Sequence, residues 1–343
     1  ALQIRETRAL ATFLLECFKD PFVMLNQRLH LDARIGIAAA KATERSPDKI
    51  LSRAALALSS AMKDPPGSVR TFDAHDAAAA QEKVLLDGEL RDALDEDHLF
   101  IQYMPIIDLT ANTVSGFEAL VRWDHPEMGL LTPALFIPMA EESGVITDVG
   151  DWVLTRALRE FSQICASLPG EQYLAINISA EHLRRKDFED RVLQHLAQSG
   201  LAENRLMLEL TESLVIDDFA GSKTVMESLR QRGVRWSIDD FGTGFSALAY
   251  LSELPFDELK LDKRFVRALG DSSEIAIPQT LVKAVLSIAA SHQARTVAEG
   301  IETAQQVEKL KELGCDLGQG YFFAAPMGHS DVADYVRRFN ADA

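Results

Sequence analysis

Asp239 and Asp240 are neighbouring carboxylates at the end of an apolar run, directly before a glycine-rich turn. Successive side chains of a strand point to opposite faces, so both acids cannot lie on one side while the strand continues. Where the strand ends, the backbone can turn and the two carboxylates can converge on one point. Like charges held that close repel each other, and a bound divalent cation is the usual compensation. The pair predicts a metal site at the mouth of a sheet or barrel, with an ordinary turn as the alternative.

Other polar residues interrupt apolar runs in the same way, at or just past the carboxyl end of a predicted strand. They are Glu118, Asn177, Glu209 with Glu212, Lys260 with Asp262, Glu299 with Glu302, and Gln319. In a barrel the carboxyl ends of the parallel strands meet on one face, so these residues would ring one pocket. Carboxylates with an amide and no His or Cys suit Mg²⁺ or Mn²⁺ better than a structural zinc. Each residue alone also fits a helix cap or a surface position, but independent caps need not recur at strand after strand.

Short apolar runs alternate with helical stretches from residue 97 onward. A hairpin comes first, predicted from Phe100 to Ile107 and from Thr113 to Trp123. The later runs are Tyr173 to Ile178, Leu206 to Leu210, Val234 to Ile238, Glu258 to Leu261, Ala294 to Val297, and Gly320 to Phe323. This alternation in about 250 residues predicts an α/β fold, a closed TIM-like (β/α)₈ barrel with an antiparallel first strand. An open doubly wound sheet is the alternative, but no glycine-rich phosphate loop follows the first strand.

Residues 1–73 hold too few elements for a complete α/β domain. The pattern predicts two helices and short strands, over 1–19, Phe22 to Leu25, Leu29 to Ala38, Ser46 to Met62, and Val69 to Phe72. A charged helix from Ala74 to Leu94 would act as a connector, which gives predicted boundaries at 1–73, 74–96 and 97–343. Because the chain begins at Ala1 rather than Met, we expect a processed form or an excised fragment.

The composition is that of a globular protein, with 47% hydrophobic and 25% charged residues among 343. No apolar run approaches the roughly 20 residues that cross a bilayer. The cysteines Cys17, Cys165 and Cys315 are far apart and odd in number, so we expect reduced thiols in a cytoplasmic protein. The net charge of −17 argues against binding of long nucleic acids. An acidic domain can still bind a small phosphorylated ligand if metal ions neutralise part of the site.

The motifs at these strand ends resemble the EAL family of cyclic di-GMP phosphodiesterases. The family's signature resembles Phe117-Glu118-Ala119-Leu120-Val121-Arg122 and its continuation through His125-Pro126 to Glu141-Glu142. The motifs that match in order and spacing are Asn177-Ile178-Ser179, Glu209-Leu210-Thr211-Glu212, Asp239-Asp240-Phe241-Gly242-Thr243-Gly244, Lys260-Leu261-Asp262, Ala298-Glu299-Gly300-Ile301-Glu302 and Gln319-Gly320-Tyr321. The resemblance covers roughly residues 85–330. Residues 1–72 are similar to the C-terminal part of a GGDEF domain that lacks the signature, so we expect no cyclase activity from them.

The resemblance implies a barrel with two divalent cations, Mg²⁺ or Mn²⁺, at its mouth. The implied metal ligands are Glu118, Asn177, Glu209 and Asp239 for the first cation, and Asp239, Asp240 and Glu299 for the second. The implied catalytic residues are Lys260, Glu299 and Glu118. Substrate contacts would involve Leu120, Arg122, Gln319 and Asp262, the last by orienting Lys260. Two further acids would support the ligands from behind: Glu212, which would anchor the loop from Asp240 to Ser246, and Glu302.

The implied reaction is hydrolysis of cyclic di-GMP to linear pGpG in bacterial signalling, and the implied assembly is a homodimer that pairs near the loop after Asp240. Lys260 would contact the attacking water or the developing charge, since a neutral lysine base would need a lowered pKa. One alternative is a catalytically silent receptor that acts through a protein partner, although such receptors lose acidic positions that this chain keeps. Another is a Mg²⁺-dependent lyase or enolising barrel. Met104 stands where the family usually has Gln, so we expect altered ligand affinity with catalysis retained.

Overall fold

The computed structural model describes residues 2–18, 21–24, 27–29, 31–39, 47–62, 64–72, 74–168, 170–242, 253–269 and 276–341. The chain forms two units, Ala1–Leu90 and Arg91–Ala343. Their boundary lies within one long helix, Ala74–Asp95, in the segment predicted as a connector. Across the described ranges, no helix is both long and apolar enough to span a bilayer.

The N-terminal unit combines helices with two small sheets. The helices are α1 (Leu2–Glu16), α2 (Pro47–Met62) and α3 (Ala74–Asp95), and the strands are β1 (Phe22–Met24), β2 (Gln27–Leu29), β3 (Ile35–Ile37) and β4 (Val69–Thr71). β1 pairs with β2 antiparallel, and β3 pairs with β4 parallel. The single strand predicted from Leu29 to Ala38 is interrupted: Leu29 is the last residue of β2, 31–34 belong to no strand, and β3 covers only Ile35–Ile37. Ser46, predicted to begin α2, lies outside the described residues.

The C-terminal unit is built on a barrel of eight described strands. The unit has ten described strands, eight in the ring and two beside it: β5 (Leu99–Asp108), β6 (Thr113–His125), β7 (Gly129–Leu131), β8 (Tyr173–Asn177), β9 (Leu206–Thr211), β10 (Arg235–Phe241), β11 (Glu258–Leu261), β12 (Arg295–Ala298), β13 (Leu317–Gly318) and β14 (Met327–Gly328). The ring runs from β5 through β6 and β8 to β13 and closes on β5, while β7 and β14 pair outside it. β5 is antiparallel to both β6 and β13, and the other ring strands are parallel. The predicted barrel with an antiparallel first strand is confirmed.

Helices alternate with these strands. They are α4 (Pro133–Ser143), α5 (Ile146–Cys165), α6 (Ala180–Leu183), α7 (Phe188–Ser199), α8 (Glu212–Asp217), α9 (Phe219–Gln231), α10 (Lys263–Leu269), α11 (Ala276–Ser291), α12 (Ala304–Leu313) and α13 (His329–Ala341), with a 3₁₀ turn at Glu203–Arg205. α5 shows how they attach: Leu154, Leu158 and Phe161 recur at helical spacing and are fully buried. Apolar helix faces of this kind pack against the strands. The polar residues at the strand ends are therefore attached to a well-packed barrel.

The barrel interior is filled in layers. A middle layer is apolar and is formed by Ile106, Ala175, Met207, Val297 and Leu317. Toward the amino ends of the parallel strands, the hydroxyl of Tyr173 donates to Glu258 at 3.0 Å. The guanidinium groups of Arg235 and Arg295 lie 4.7 and 5.3 Å from the Tyr173 ring centroid, and Arg295 also pairs with Glu258. These four residues, Tyr173, Arg235, Glu258 and Arg295, form the barrel floor. The floor and the apolar layer fill the lower barrel, and the inward-facing positions above them form the mouth.

The last barrel strand differs from its prediction. A strand was expected from Gly320 to Phe323, but β13 ends at Gly318 and residues 321–323 form a turn. A Cβ on Gly320 would lie 2.1 Å from the Ile301 carbonyl oxygen, so the chain passes too close to Ile301 for any larger residue. Tyr321 is 71% exposed. Aromatic residues favour strands because they pack well on a sheet, but here the aromatic run lies in a turn and Tyr321 is exposed.

Candidate active site and metal centre

Lys260 is fully buried at the barrel mouth, and its ammonium group contacts four carboxylates. Its Nζ lies 2.7 Å from Glu299, 3.0 Å from Glu209, 3.5 Å from Asp239 and 3.6 Å from Glu118. The acids come from the ends or upper parts of β12, β9, β10 and β6, so closure of the barrel brings them together. Burial alone would lower the pKa of Lys260, but these carboxylates raise it well above its ordinary value. The lysine is a buried cation at the centre of an anionic ring.

The ring holds more negative charge than one lysine balances. Asp240 adds another carboxylate, and ligand atoms of Asp239, Asp240 and Glu299 lie within 4.8 Å of one another. Burial raises the pKa of Glu299 to about 8, an effect that Lys260 only partly offsets. Burial also raises the pKa of Glu209 well above its ordinary value. Carboxylates crowded in this way gain most from a divalent cation, which favours their ionised form.

Two amides tie the ring together. Asn177 Nδ2 donates to Glu118 Oε1 at 2.8 Å, and Gln319 Nε2 donates to Glu118 Oε2 at 2.7 Å and to Glu299 Oε1 at 3.1 Å. Burial alone would raise the pKa of Glu118, but Lys260 and these two amides bring it below its ordinary value. Glu118 is therefore held ionised, with both of its oxygens directed into the ring.

The donor set fits a hard divalent cation. All candidate ligand atoms are carboxylate or amide oxygens, which Mg²⁺ and Mn²⁺ prefer. Two buried acceptors, Oε1 of Glu209 and Oε1 of Gln319, have no hydrogen-bond partner among the residues that the structure describes. Buried polar atoms normally have hydrogen-bond partners. Acceptors without a partner, beside an excess of negative charge, are expected where oxygen atoms are kept available for a cation.

A bulge at the end of β10 turns the Asp239-Asp240 pair inward. β10 continues to Phe241, and its register with β11 shifts between Ile238 and Phe241. Asp240 has a φ of 55°, an uncommon left-handed conformation that Asp tolerates better than most residues, and its N–H donates to Asp239 Oδ1 at 2.7 Å. The two acids thus reach one point while the chain is still paired as a strand. The sequence predicted convergence of the pair, but it placed the turn after the strand.

Glu212 holds the backbone directly after this bulge. Its side chain is 3% exposed, and its Oε2 accepts a hydrogen bond from the Gly242 amide at 2.9 Å. Gly242 has a φ of 90° and faces Phe265 so closely that a Cβ would lie 2.7 Å from the ring. Residues 243–252 lie outside the described residues, so the predicted anchoring of the loop to Ser246 is seen only at its first step.

Leu120 and Arg122 follow Glu118 at alternate positions of β6. Leu120 is half-buried and lines a cavity of about 340 Å³ between β6, α4 and α5, which Asn177 also borders. Arg122 is 8% exposed; its Nε donates to Gln102 Oε1 at 2.8 Å and its Nη1 to the Val121 carbonyl at 2.9 Å. Gln102 is absent from the predicted site residues. Its signal was a lone amide in the apolar run of β5, two residues before Met104 and therefore on the same face.

Two predicted residues lie outside the lysine-centred ring. Asp262 accepts from the Arg264 amide at 2.9 Å and from Arg264 Nε at 2.7 Å, and it is hydrogen-bonded to Asp240. Among the described residues, Asp262 forms no hydrogen bond or ion pair with Lys260. The side chain of Glu302 is 55% exposed and lies 3.5 Å from Arg267. The roles predicted for these two acids stay predictions.

Known proteins resemble this chain over nearly its whole length. The EAL domain family model matches residues 87–326. The cyclic di-GMP phosphodiesterase NbdA of Pseudomonas aeruginosa is 35% identical over 343 residues, which cover 99% of this chain and 43% of that protein. The bifunctional diguanylate cyclase/cyclic di-GMP phosphodiesterase MucR of the same organism is 34% identical over 322 residues, 94% of this chain and 47% of that protein. The chain thus spans less than half the length of these two relatives.

Solved structures agree with the sequence relatives. The PaMucR phosphodiesterase in complex with c-di-GMP is 37% identical, with a TM-score of 0.67 over 71% of this chain and 98% of that one. The EAL enzyme Bd1971, with cAMP and cyclic-di-GMP bound, is 30% identical, with a TM-score of 0.70 over 75% of this chain and 70% of that one. The matched family segment coincides with the barrel and carries its ring of acids, and the chain therefore belongs to the EAL domain family.

Proposed function

We propose that the barrel hydrolyses cyclic di-GMP to linear pGpG in a reaction that depends on two divalent cations, Mg²⁺ or Mn²⁺. The observation that carries the proposal is the ring of carboxylates and amides around buried Lys260. Support comes from relatives named as cyclic di-GMP phosphodiesterases and from related barrels solved with that dinucleotide.

The metal ligands are proposed residue by residue. Glu118, Asn177, Glu209 and Asp239 would hold one cation, and Asp239, Asp240 and Glu299 the other. Proximity of the last three acids and the unused acceptor of Glu209 support this division. When bound, the cations would supply Lewis-acid polarisation of the phosphodiester and a more acidic water.

The side chains of the chain itself would orient the substrate and stabilise charge. Lys260 is fixed between Glu209 and Glu299, at 3.0 and 2.7 Å, and its ammonium group would stabilise negative charge that develops at the reacting phosphate. A lysine so placed among carboxylates is a cation and not a base. Arg122 would bind a phosphate, and Leu120 and Gln319 would contact the base. Because the site is largely buried, these interactions act in a low dielectric and are stronger than in water.

The remaining expectations belong to the same proposal. Residues 1–73 would be a GGDEF-like piece without cyclase activity, 74–96 a connector, and 97–343 the phosphodiesterase barrel. A cytoplasmic location and a homodimer formed near the loop after Asp240 are further parts of it. Most of that loop lies outside the described residues.

Chromatography of cyclic di-GMP after incubation with the protein tests the proposal. With Mg²⁺ or Mn²⁺ we expect conversion to pGpG by the wild type, and with Ca²⁺ we expect binding with little turnover. Glu118→Ala should lose activity by roughly two orders of magnitude or more, since it removes a ligand oxygen pair from the ring. Glu127→Ala, which changes an exposed glutamate of the same hairpin, is the matched control and should retain activity.

Binding of intact cyclic di-GMP by a wild type that never cleaves it, with Mg²⁺ and with Mn²⁺, would establish a silent receptor instead. Full activity of Glu118→Ala would overturn the metal assignment. Turnover of a small carboxylate or sugar phosphate, with indifference to dinucleotides, would point to a lyase or enolising barrel.

A further inference from the structure

Arg122 is a buried cation that forms no ion pair within the described part of the chain, although Tyr321 and Glu118 attract its charge from a longer distance. It lies four residues beyond Glu118 on the same face of β6, which places it about 13 Å farther along the strand. Its side chain is 8% exposed, yet within the described ranges no carboxylate forms an ion pair with it. Burial of an unpaired charge is costly, so a guanidinium kept in this state is suited to an anion that arrives from outside the chain.

The groups that hold Arg122 are neutral. Gln102 Oε1 accepts from its Nε at 2.8 Å, and the Val121 carbonyl accepts from its Nη1 at 2.9 Å. Its Nη2 makes no hydrogen bond to any residue in the described part of the chain. The guanidinium is therefore held at Nε and Nη1 by uncharged oxygens, while its Nη2 and its charge stay available.

Gln102 is well placed to fix the guanidinium. It is paired in register with Leu120 on β6 and with Gly328 on β14, so its backbone is held on both sides. It sits two residues from Arg122's own register partner, Phe100, within reach of a long side chain on the neighbouring strand. The amide thus reaches Arg122 from a rigid position rather than from a mobile loop.

We propose that Gln102 is a positioning residue that fixes the Arg122 guanidinium for a phosphate of the cyclic dinucleotide without neutralising it. This inference rests on the proposed function and names a residue of the same site. A carboxylate at position 102 would hold Arg122 more strongly but would compete with the phosphate for its charge. An apolar residue at position 102 would leave the charge of Arg122 available, but its guanidinium would no longer be held in a fixed orientation. A neutral amide meets both requirements.

The test compares Gln102→Glu, Gln102→Leu and wild type for binding of cyclic di-GMP in Ca²⁺ by isothermal titration calorimetry. We expect Gln102→Leu to raise Kd by roughly tenfold, the effect of one hydrogen bond to a charged group. Gln102→Glu should raise Kd by more than Gln102→Leu and should not lower Tm, since it adds an ion pair to Arg122. Turnover in Mg²⁺ should show the same rise in KM with kcat nearly retained. Gln305→Glu makes the same change at an exposed position of α12 and is the control for added charge.

The outcomes separate this inference from the proposed function. If the wild type binds and cleaves cyclic di-GMP and Gln102→Glu binds it as tightly as the wild type, the positioning role is wrong and the activity stands. A fall in Tm of Gln102→Glu that matches its loss of affinity would reduce Gln102 to a structural role and would also overturn the inference. A wild type that neither binds nor cleaves the dinucleotide would overturn both proposals.

Discussion

The Lys260→Met substitution tests whether the acids at the barrel mouth depend on one buried cation. Lys260 contacts four carboxylates and is fully buried. Methionine fills much of the same space without charge. Removal of one partner from a buried ion pair costs about 3–5 kcal/mol, because the remaining charge is left without compensation. Since each kcal/mol lowers Tm by about 2–4 °C in a domain of this size, we expect Tm in metal-free buffer to fall by about 6–20 °C.

Thermal unfolding followed by circular dichroism, in EDTA and in Mg²⁺, measures this effect. A cation present at about 100 times its Kd adds about 2.7 kcal/mol to the free energy of unfolding, which corresponds to about 5–11 °C. Lys260→Met should gain more from Mg²⁺ than the wild type does, since the loss of the ammonium group leaves the ring more negative. Lys186→Met removes an exposed lysine of the same unit and should melt with the wild type in both buffers.

Two results would refute this reasoning. Equal melting of Lys260→Met and Lys186→Met in EDTA would mean that the carboxylates are not held together by a shared cation. A strongly destabilised Lys260→Met that gains nothing from Mg²⁺ or Mn²⁺ would mean that the ring is a structural ion-pair network and not a metal centre.

Three further predictions concern residues outside that ring. Burial raises the pKa of Cys165 to about 11 and that of Cys315 to about 12, whereas Cys17 is exposed. Iodoacetamide should therefore alkylate Cys17 well before the other two, as measured by peptide mapping, and rapid labelling of native Cys315 would contradict this. Tyr173→Phe loses the hydrogen bond to Glu258 and should lower the free energy of unfolding by about 1.5–3 kcal/mol in urea titrations, with turnover unchanged; a large loss of kcat would show that the barrel floor reaches the site. Glu212→Ala frees the Gly242 amide and should reduce metal affinity and activity, and Glu212→Gln, which keeps an acceptor, should restore them; full function of the alanine variant would count against anchoring by Glu212.

Much of the site could be predicted from sequence because the carboxyl ends of parallel strands in a barrel all meet at one face, so residues distant in sequence lie close together there. Asn177, Glu209 and Lys260 each end or nearly end a short apolar run, and closure of the barrel brings such ends together. Strand periodicity then fixes whether a side chain faces inward. The ring around Lys260 therefore follows from the order of strands and the position of each polar residue within its run.

Some positions beyond a strand end could not be predicted in this way, although Glu299 and Gln319, one residue past β12 and β13, do reach the ring. The backbone amides of Glu299 and Gln319 still bond to the neighbouring strands, but where such bonds stop, periodicity no longer determines where a side chain points. Glu302 follows β12 by four residues and points to Arg267 on the surface, and Asp262 turns toward Arg264. The bulge that brings Asp239 and Asp240 together depends on the register with β11, a partner that is known only once the fold has formed.

Lys260 and Arg122, two buried cations at the mouth of this barrel, differ in whether their charge is compensated by carboxylates. This difference constrains the order in which metal ions and ligand bind. Lys260 is bound by carboxylates on several sides, whereas the hydrogen bonds of Arg122 to described residues all go to neutral oxygens. A cyclic dinucleotide brings two phosphodiester anions toward a chain of net charge −17, and Coulomb repulsion from uncompensated acids in the ring would oppose its approach. One lysine cannot offset five carboxylates, so until divalent cations fill the ring the positive charge that this part of the described barrel offers to the ligand is mainly that of Arg122. Metal binding should therefore precede tight ligand binding, and affinity for cyclic di-GMP should fall sharply in EDTA even though the residues proposed to contact its bases are unchanged.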